Sequence, residues 1–266
     1  MLTFLPAYSY YIIAGVLGAL MGSFANVCIV RIPGGKSVVS PRSHCVCCSH
    51  QLSWWENIPL ISYILLLGRC RECKKRISIQ YPIVEILSIL LALMLWWHFR
   101  TIGRFLAYYF LLVLPLIIIT FIDLRHKIIP DIFSIPGIFA GLAVRFIFAH
   151  PALRFHELLD SVIGVVVGGG FLFLVALGYE KLKKREGLGG GDVKFAAMLG
   201  AFFGWQSIIF ILLASSLIGL VVGIFTIVVL RKGRYFEIPF GPFMAFAAML
   251  FLFYGNNIIS WYLNLF

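Results

Sequence analysis

Gly187-Leu188-Gly189-Gly190-Gly191-Asp192-Val193-Lys194 is a glycine-rich, polar break in a chain that is otherwise mostly apolar. It carries one of only 11 carboxylates in 266 residues. A carboxylate beside a lipid-facing segment is costly to keep unless something uses it. Three consecutive glycines remove Cβ atoms, so another backbone can approach closely. Asp192 opens a helix after the glycines, which suits an N-cap as well as a functional carboxylate.

The surroundings of this stretch belong in a bilayer. The chain is 61% hydrophobic and 12% charged, with a mean hydropathy of +0.99. Soluble domains are about 45–50% apolar and about 25% charged. Apolar runs fall near 8–30, 82–99, 105–122, 130–149, 159–180, 192–204, 207–230 and 239–264. A span needs about 20 such residues. The 192–204 run is short, so it is either a half-length helix or fused with its neighbour, and the count is eight spans or seven. Met1 to Tyr11 has no basic n-region and no small-residue cleavage site, so the first run is expected to be a retained span. The expected fold is an all-α polytopic membrane protein of about eight transmembrane helices. Its expected parts are a first helix over 1–30, a soluble segment over 31–80 and a membrane domain over 81–266.

The net charge of +11 raises nucleic acid as a partner, but the basic residues form no amphipathic stripe with interleaved aromatics. They cluster between the apolar runs, as the positive-inside rule requires. With the N-terminus outside, 18 of the 22 Lys and Arg residues fall on the inner side, leaving Arg100, Arg104, Arg145 and Arg154 outside. That orientation puts Asp192 at the inner face. It puts a second carboxylate there too, in Phe121-Ile122-Asp123-Leu124-Arg125-His126-Lys127-Ile128-Ile129-Pro130-Asp131, the turn between the third and fourth spans.

Asp123 is expected at the C-terminal end of its helix, where the macrodipole disfavours an anion. A purely structural role explains it poorly. Asp131, after Pro130, reads as an N-cap, as does Asp160 for the fifth span. Glu85, after Tyr81-Pro82, is expected in the first turn of the second span, with ligand binding as the alternative. Two close carboxylates cannot both ionise easily and share a proton, so one can act as base on a water while the other acts as acid. Asp123 and Asp192 are therefore the candidate catalytic pair. Lys127 and Lys194 lie near them in sequence.

The 31–80 segment has about 50 residues, too few for a robust apolar core without a staple. Cys45-x-x-Cys48 and Cys70-x-x-Cys73 supply one. Thiolates at this spacing close a tetrahedral site that suits a structural Zn²⁺, and a cytosolic position disfavours disulfides. Cys47, His44 and His50 are alternative ligands. Cys45 and Cys48 are preferred because their spacing repeats that of Cys70 and Cys73. Cys28, in an apolar run, reads as a buried small residue.

Together these stretches resemble the bacterial type IV prepilin leader peptidases, membrane aspartyl proteases of the GxGD type. The resemblance covers essentially the whole chain. It includes Gly22-Ser23-Phe24-Ala25-Asn26-Val27-Cys28-Ile29-Val30-Arg31-Ile32-Pro33, the paired knuckles with Leu52-Ser53-Trp54-Trp55-Glu56-Asn57-Ile58-Pro59 between them, Ser78-Ile79-Gln80-Tyr81-Pro82-Ile83-Val84-Glu85, Asp123 with the downstream Pro130-Asp131, and Gly189-Gly190-Gly191-Asp192. The extra Cys47 departs from it.

The resemblance implies an inner-membrane enzyme that removes the basic leader of prepilins or pseudopilins at the cytoplasmic face, with Asp123 and Asp192 as the catalytic dyad. It also implies N-methylation of the new terminus with S-adenosylmethionine, the knuckle segment belonging to that second activity. Candidate residues for binding the methyl donor are Asn26, Arg31 and Glu85. The expected partners are prepilin substrates and membrane lipid, and no nucleic acid. A transporter using the two aspartates as a proton relay is the alternative of another class.

Overall fold

The computed structural model describes residues 6–183, 189–229 and 238–263. Gly187 and Leu188, and the basic residues Lys184, Arg185, Arg231, Lys232 and Arg234, lie outside them. Helices account for nearly all the regular structure, and among the described residues no strand occurs beyond two isolated bridges. The helices are α1 (Ala7–Arg31), α2 (Ile61–Leu65), α3 (Gln80–Phe99), α4 (Ile102–Tyr108), α5 (Leu114–His126), α6 (Asp131–Phe148), α7 (Arg154–Lys183), α8 (Gly190–Phe203), α9 (Trp205–Val228) and α10 (Gly241–Leu263). A π turn at Tyr109–Val113 joins α4 to α5.

Six helical stretches are long and apolar enough to cross a membrane: Tyr8–Gly34, Gln80–Phe99, Ile102–His126, Asp131–Phe148, Pro151–Leu182 and Trp205–Val228. The short α8 and the apolar α10 bring the set to the expected eight. At about 1.5 Å per residue, α8 is roughly 21 Å long, short of the ~30 Å hydrocarbon core. It is a half-length helix separated from α9 by Gly204, whose φ of +84° lies where side chains are strained.

The chain divides into two compact units, Met1–Ile118 and Ile119–Phe266. In the first, α1 packs along α3. Ser88 on α3 sits between Gly18 and Tyr109: its hydroxyl donates to the Gly18 carbonyl (2.7 Å) and shares a hydrogen bond of 2.7 Å with the Tyr109 phenol. All three partners are thus satisfied in an apolar interior, where an unpaired hydroxyl is costly.

In the second unit α8 is the core. Phe195, Ala196, Met198, Leu199 and Phe202 are all buried, and α6, α7, α9 and α10 surround the helix. An all-round apolar helix is stable only when enclosed in this way. Gly164 of α7 and Gly200 of α8 meet with no space for a side chain on either, so the two backbones touch.

The far end of α8 is pinned by ions. The Arg145 guanidinium of α6 bonds Asp160 and Glu157 of α7, each at 2.5 Å, and donates to the Phe203 carbonyl at 3.3 Å. The Trp205 amide donates to Asp160 at 3.4 Å. Asp160 therefore does not cap α7, which starts at Arg154; it lies in the second turn and locks the α8–α9 break.

Candidate active site and cysteine cluster

Asp123 sits one turn from the C-terminus of α5 and is only 4% exposed. The dipole of α5 is unfavourable to a charge there. Compensation comes from another helix start: the Gly241 amide of α10 donates to Asp123 Oδ2 at 2.9 Å. Sequence reading missed Gly241. Its only signal was Phe240-Gly241-Pro242 after Pro239, a start site for a helix without an obvious capping side chain.

Asp192 stands at the third position of α8, where Gly189 is the N-cap and no side-chain cap bond forms. The capping role is thus taken by glycine. Asp192 profits from the N-terminal dipole without being the cap. It lies near enough to Asp123 to feel that residue's charge. Ile129 fills the space between their supports: a Cβ on Gly191 would come within 3.0 Å of Ile129 Cβ, and one on Gly241 within 3.3 Å of Ile129 Cδ1. Gly191, beside Asp192, and Gly241, which holds Asp123, thus both pack against one isoleucine of the α5–α6 turn.

Asp131 departs from the expected cap. It is the first residue of α6, makes no cap bond, and holds Lys194 Nζ at 2.6 Å. Lys194 therefore ties the start of α8 to the start of α6 instead of addressing the aspartate pair.

In the first unit, four sulfurs gather. The Cys45–Cys73 and Cys48–Cys70 Sγ pairs are each 3.9 Å apart, and all four atoms lie within 4.8 Å of one another. Tetrahedral Zn–S bonds of about 2.3 Å require edges of about 3.8 Å, so the donor set fits zinc. Cys47 is exposed, its amide turned to Cys45 Sγ (3.4 Å).

The two knuckles repeat one geometry. Cys45 and Cys70 amides donate to the carbonyls of His50 and Lys75 at 2.8 Å, and Ser49 and Lys74 take positive φ of 58° and 56°. Burial would raise the Cys45 thiol, but the amides of Cys47 and Cys48 draw it down to about 6. Cys48 goes the other way: the His50 amide lowers it, but burial and the neighbouring thiols push it up to about 12. Four thiolates cannot coexist here without a cation between them.

The remaining candidates split into two groups. Asn26 and Glu85 face the α1–α3 seam. Asn26 Nδ2 donates to the Tyr81 carbonyl at 3.0 Å, its Oδ1 is buried with no partner, and Gly22 has no space for a side chain against the Glu85 Cα. Glu85 lies beyond the first turn of α3, correcting the sequence expectation, and accepts the Leu60 amide at 2.8 Å. Leu60 has φ +61°, a strained state for a γ-branched residue, so the Glu85 bond is held by the segment that follows the first knuckle. Arg31 is engaged elsewhere: its guanidinium donates to the Ser37 and Arg42 carbonyls, ordering the approach to Cys45.

Known proteins match most of the chain. The model for the bacterial peptidase A24 N-terminal domain matches residues 16–99, and that for the type IV leader peptidase family matches residues 110–224. The chain is 34% identical to a Pseudomonas putida prepilin leader peptidase/N-methyltransferase, over 96% of this chain and 94% of that one. It is 35% identical to a protein of that name from Xanthomonas campestris, over 97% and 96%. A Myxococcus xanthus protein of that name is 42% identical over 82% of this chain and 63% of its own length. No solved structure matches. By identity and coverage, this chain belongs to the type IV leader peptidase family.

Proposed function

We propose that the protein cleaves the leader from type IV prepilins or pseudopilins and then N-methylates the exposed terminus, with Asp123 and Asp192 as the peptidase dyad. The observation that supports the peptidase half is a buried carboxylate from α5 near enough to one from α8 for their charges to interact, with Ile129 packed against the glycines that adjoin them. A proton shared by the pair leaves one carboxylate ionised and one protonated. The ionised member takes a proton from water as its oxygen attacks the scissile carbonyl carbon. The protonated member gives its proton to the carbonyl oxygen. Collapse of the tetrahedral species breaks the C–N bond, and the leaving amine departs with a proton returned from the pair.

Both aspartates lie in 81–266, the proposed peptidase domain, and 31–80 is assigned to the methyl-transfer half. The enzyme is placed in the bacterial inner membrane with the dyad facing the cytoplasm, because 18 of the 22 basic residues then lie inside. A prepilin offers an apolar helix in the bilayer with its cleavage site at that surface, so lateral helix packing and extended insertion of the scissile segment suit the Gly189–Gly191 approach. Membrane lipid and prepilins are the partners; nucleic acid is not.

The Cys45, Cys48, Cys70 and Cys73 set would hold Zn²⁺ as a structural ion, since four protein ligands leave no open position. S-Adenosylmethionine would supply an electrophilic methyl group on a sulfonium. The orphaned Asn26 Oδ1 and the Glu85 carboxylate are acceptors that fit its ammonium and sulfonium charges. Arg31 would order the adjoining segment.

The decisive experiment is mass spectrometry of a co-expressed prepilin with wild type, Asp123→Asn and Asp192→Asn. Wild type should yield a shortened product carrying one methyl group. Each variant should insert normally and leave the leader attached; normal processing by either removes the dyad.

A further inference from the structure

We propose that Gly241 is a positioning residue for leader cleavage: its amide fixes Asp123 Oδ2, and its missing Cβ provides the space that carboxylate occupies. The proposal rests on the dyad proposed above.

The first amides of a helix have no intrahelical partner and must be satisfied from outside. In α10 they can be followed one by one. Pro242 has no N–H. Phe243 and Met244 both donate to the Phe240 carbonyl. The Gly241 amide donates to Asp123, 118 positions earlier in the chain. One backbone group thus completes the start of α10 and offsets the adverse dipole at the end of α5.

Space points the same way. A Cβ on Gly241 would fall 2.6 Å from Asp123 Oδ2 and 3.3 Å from its carboxyl carbon. Gly241 is not among the described glycines of positive φ, which are Gly35, Gly68 and Gly204. Alanine could take the same backbone conformation, so what the position demands is room, not freedom. Asp123 cannot keep both its orientation and this bond if a methyl group is added.

Among the described residues, three groups have a contact with, or a charge effect on, Asp123 or its support. From α8 comes Asp192, the charged one; the α5–α6 turn presents Ile129, and α10 presents the Gly241 amide. Lys194 is held by Asp131. Loss of the amide bond therefore disfavours the ionised form of Asp123.

The test uses full-length enzyme in detergent with purified prepilin, comparing wild type, Gly241→Ala, Asp123→Asn and Gly170→Ala. Gly170 lies in α7 with open space around its Cβ position. Gly241→Ala should lower kcat about 10- to 100-fold, as loss of a hydrogen bond to a charged group does. KM should stay within about threefold, and the acidic limb of the pH profile should move up by roughly one unit. Methylation of a pre-cleaved pilin should persist, the thermal midpoint of Gly241→Ala should stay close to that of wild type, and Gly170→Ala should match wild type. Normal cleavage by Asp123→Asn would sink the dyad itself. An inactive Asp123→Asn beside a Gly241→Ala with wild-type kcat and acidic limb would overturn the positioning role alone.

A measurement on the unaltered protein guards against a misfolded variant. Labelling Phe carbonyls and Gly amides selects two sites, Gly204 and Gly241, because Phe-Gly occurs only at 203–204 and 240–241. The Gly241 amide resonance should titrate along the acidic limb of cleavage. A resonance that stays still through that range would refute the bond's role.

Discussion

Lys194 Nζ lies 2.6 Å from Asp131 Oδ2, joining the second turn of α8 to the first residue of α6. Two helices that start beside the aspartate pair are thereby tied by a contact that involves neither member of it. Both side chains are about half exposed, at 42% and 53%.

Such pairs contribute about 0–1 kcal/mol. Lys194→Met is therefore expected to lower the thermal midpoint by no more than a few degrees. Because Lys194 is engaged by Asp131, the pH profile of cleavage should keep its shape. A large shift of either limb in this variant would mean that the ammonium acts on the dyad instead.

The cysteine cluster should carry about one zinc per chain in protein prepared without chelators. Cys47→Ser should keep that stoichiometry, since Cys47 is exposed and outside the four-sulfur set. Cys45→Ser or Cys70→Ser should lose it. Metal analysis of the purified variants checks all three.

Glu56 gives the knuckle segment a pH dependence. Burial alone would raise its carboxyl, but the Ser53 amide (2.8 Å) and His50 (3.3 Å) win and hold it below the usual carboxylate value. A depressed folded-state value stabilises the segment above the ordinary carboxylate range of about 4.3. That stabilisation is lost as the pH falls through the lowered value. Relative to the intrinsic rate at each pH, hydrogen exchange at the Ser53 amide should accelerate in acid in the wild type. In Glu56→Gln it should be fast already at neutral pH; equal protection in both would contradict the assignment.

Gly204→Ala should destabilise the second unit by about 1–3 kcal/mol. Its φ is +84°, and Asp160 occupies the space a side chain would need. Thermal unfolding in detergent reads this directly, and unchanged stability would mean that the α8–α9 break can be rebuilt without the clamp.

Cleavage and methylation should separate. Asn26 and Glu85 belong to the first unit, and Asp123 and Asp192 to the second. Asp192→Asn should therefore still methylate a pre-cleaved pilin, whereas Glu85→Gln should cleave but release unmethylated product. Loss of both activities in each variant would indicate a single shared site.

Hydropathy carried much of this into the sequence. The eight apolar runs correspond to helices, including the half-length one, because a bilayer requires long uninterrupted apolar segments. The four cysteines were legible for a similar reason: tetrahedral chelation imposes short, repeated spacings. The carboxylates were harder. Asp131, Asp160 and Asp192 each follow or begin an apolar run and look like N-caps, yet none is the N-cap residue of its own helix. Their partners, Lys194, Arg145 and Asp123, come from other helices and leave no local trace. The bond from Gly241 to Asp123 was invisible for the same reason, since a backbone amide 118 positions away has no signature in side-chain chemistry.

The clamp at Gly204 has a consequence for depth. With one end of α8 fixed by Arg145 and Asp160, the helix acts as a ruler that sets where Asp192 stops. One residue inserted between Met198 and Gly204 would move that carboxylate about 1.5 Å along the axis and swing it roughly 100° around it. Volume-conserving apolar swaps inside α8 can be absorbed by packing, but a change in its length cannot.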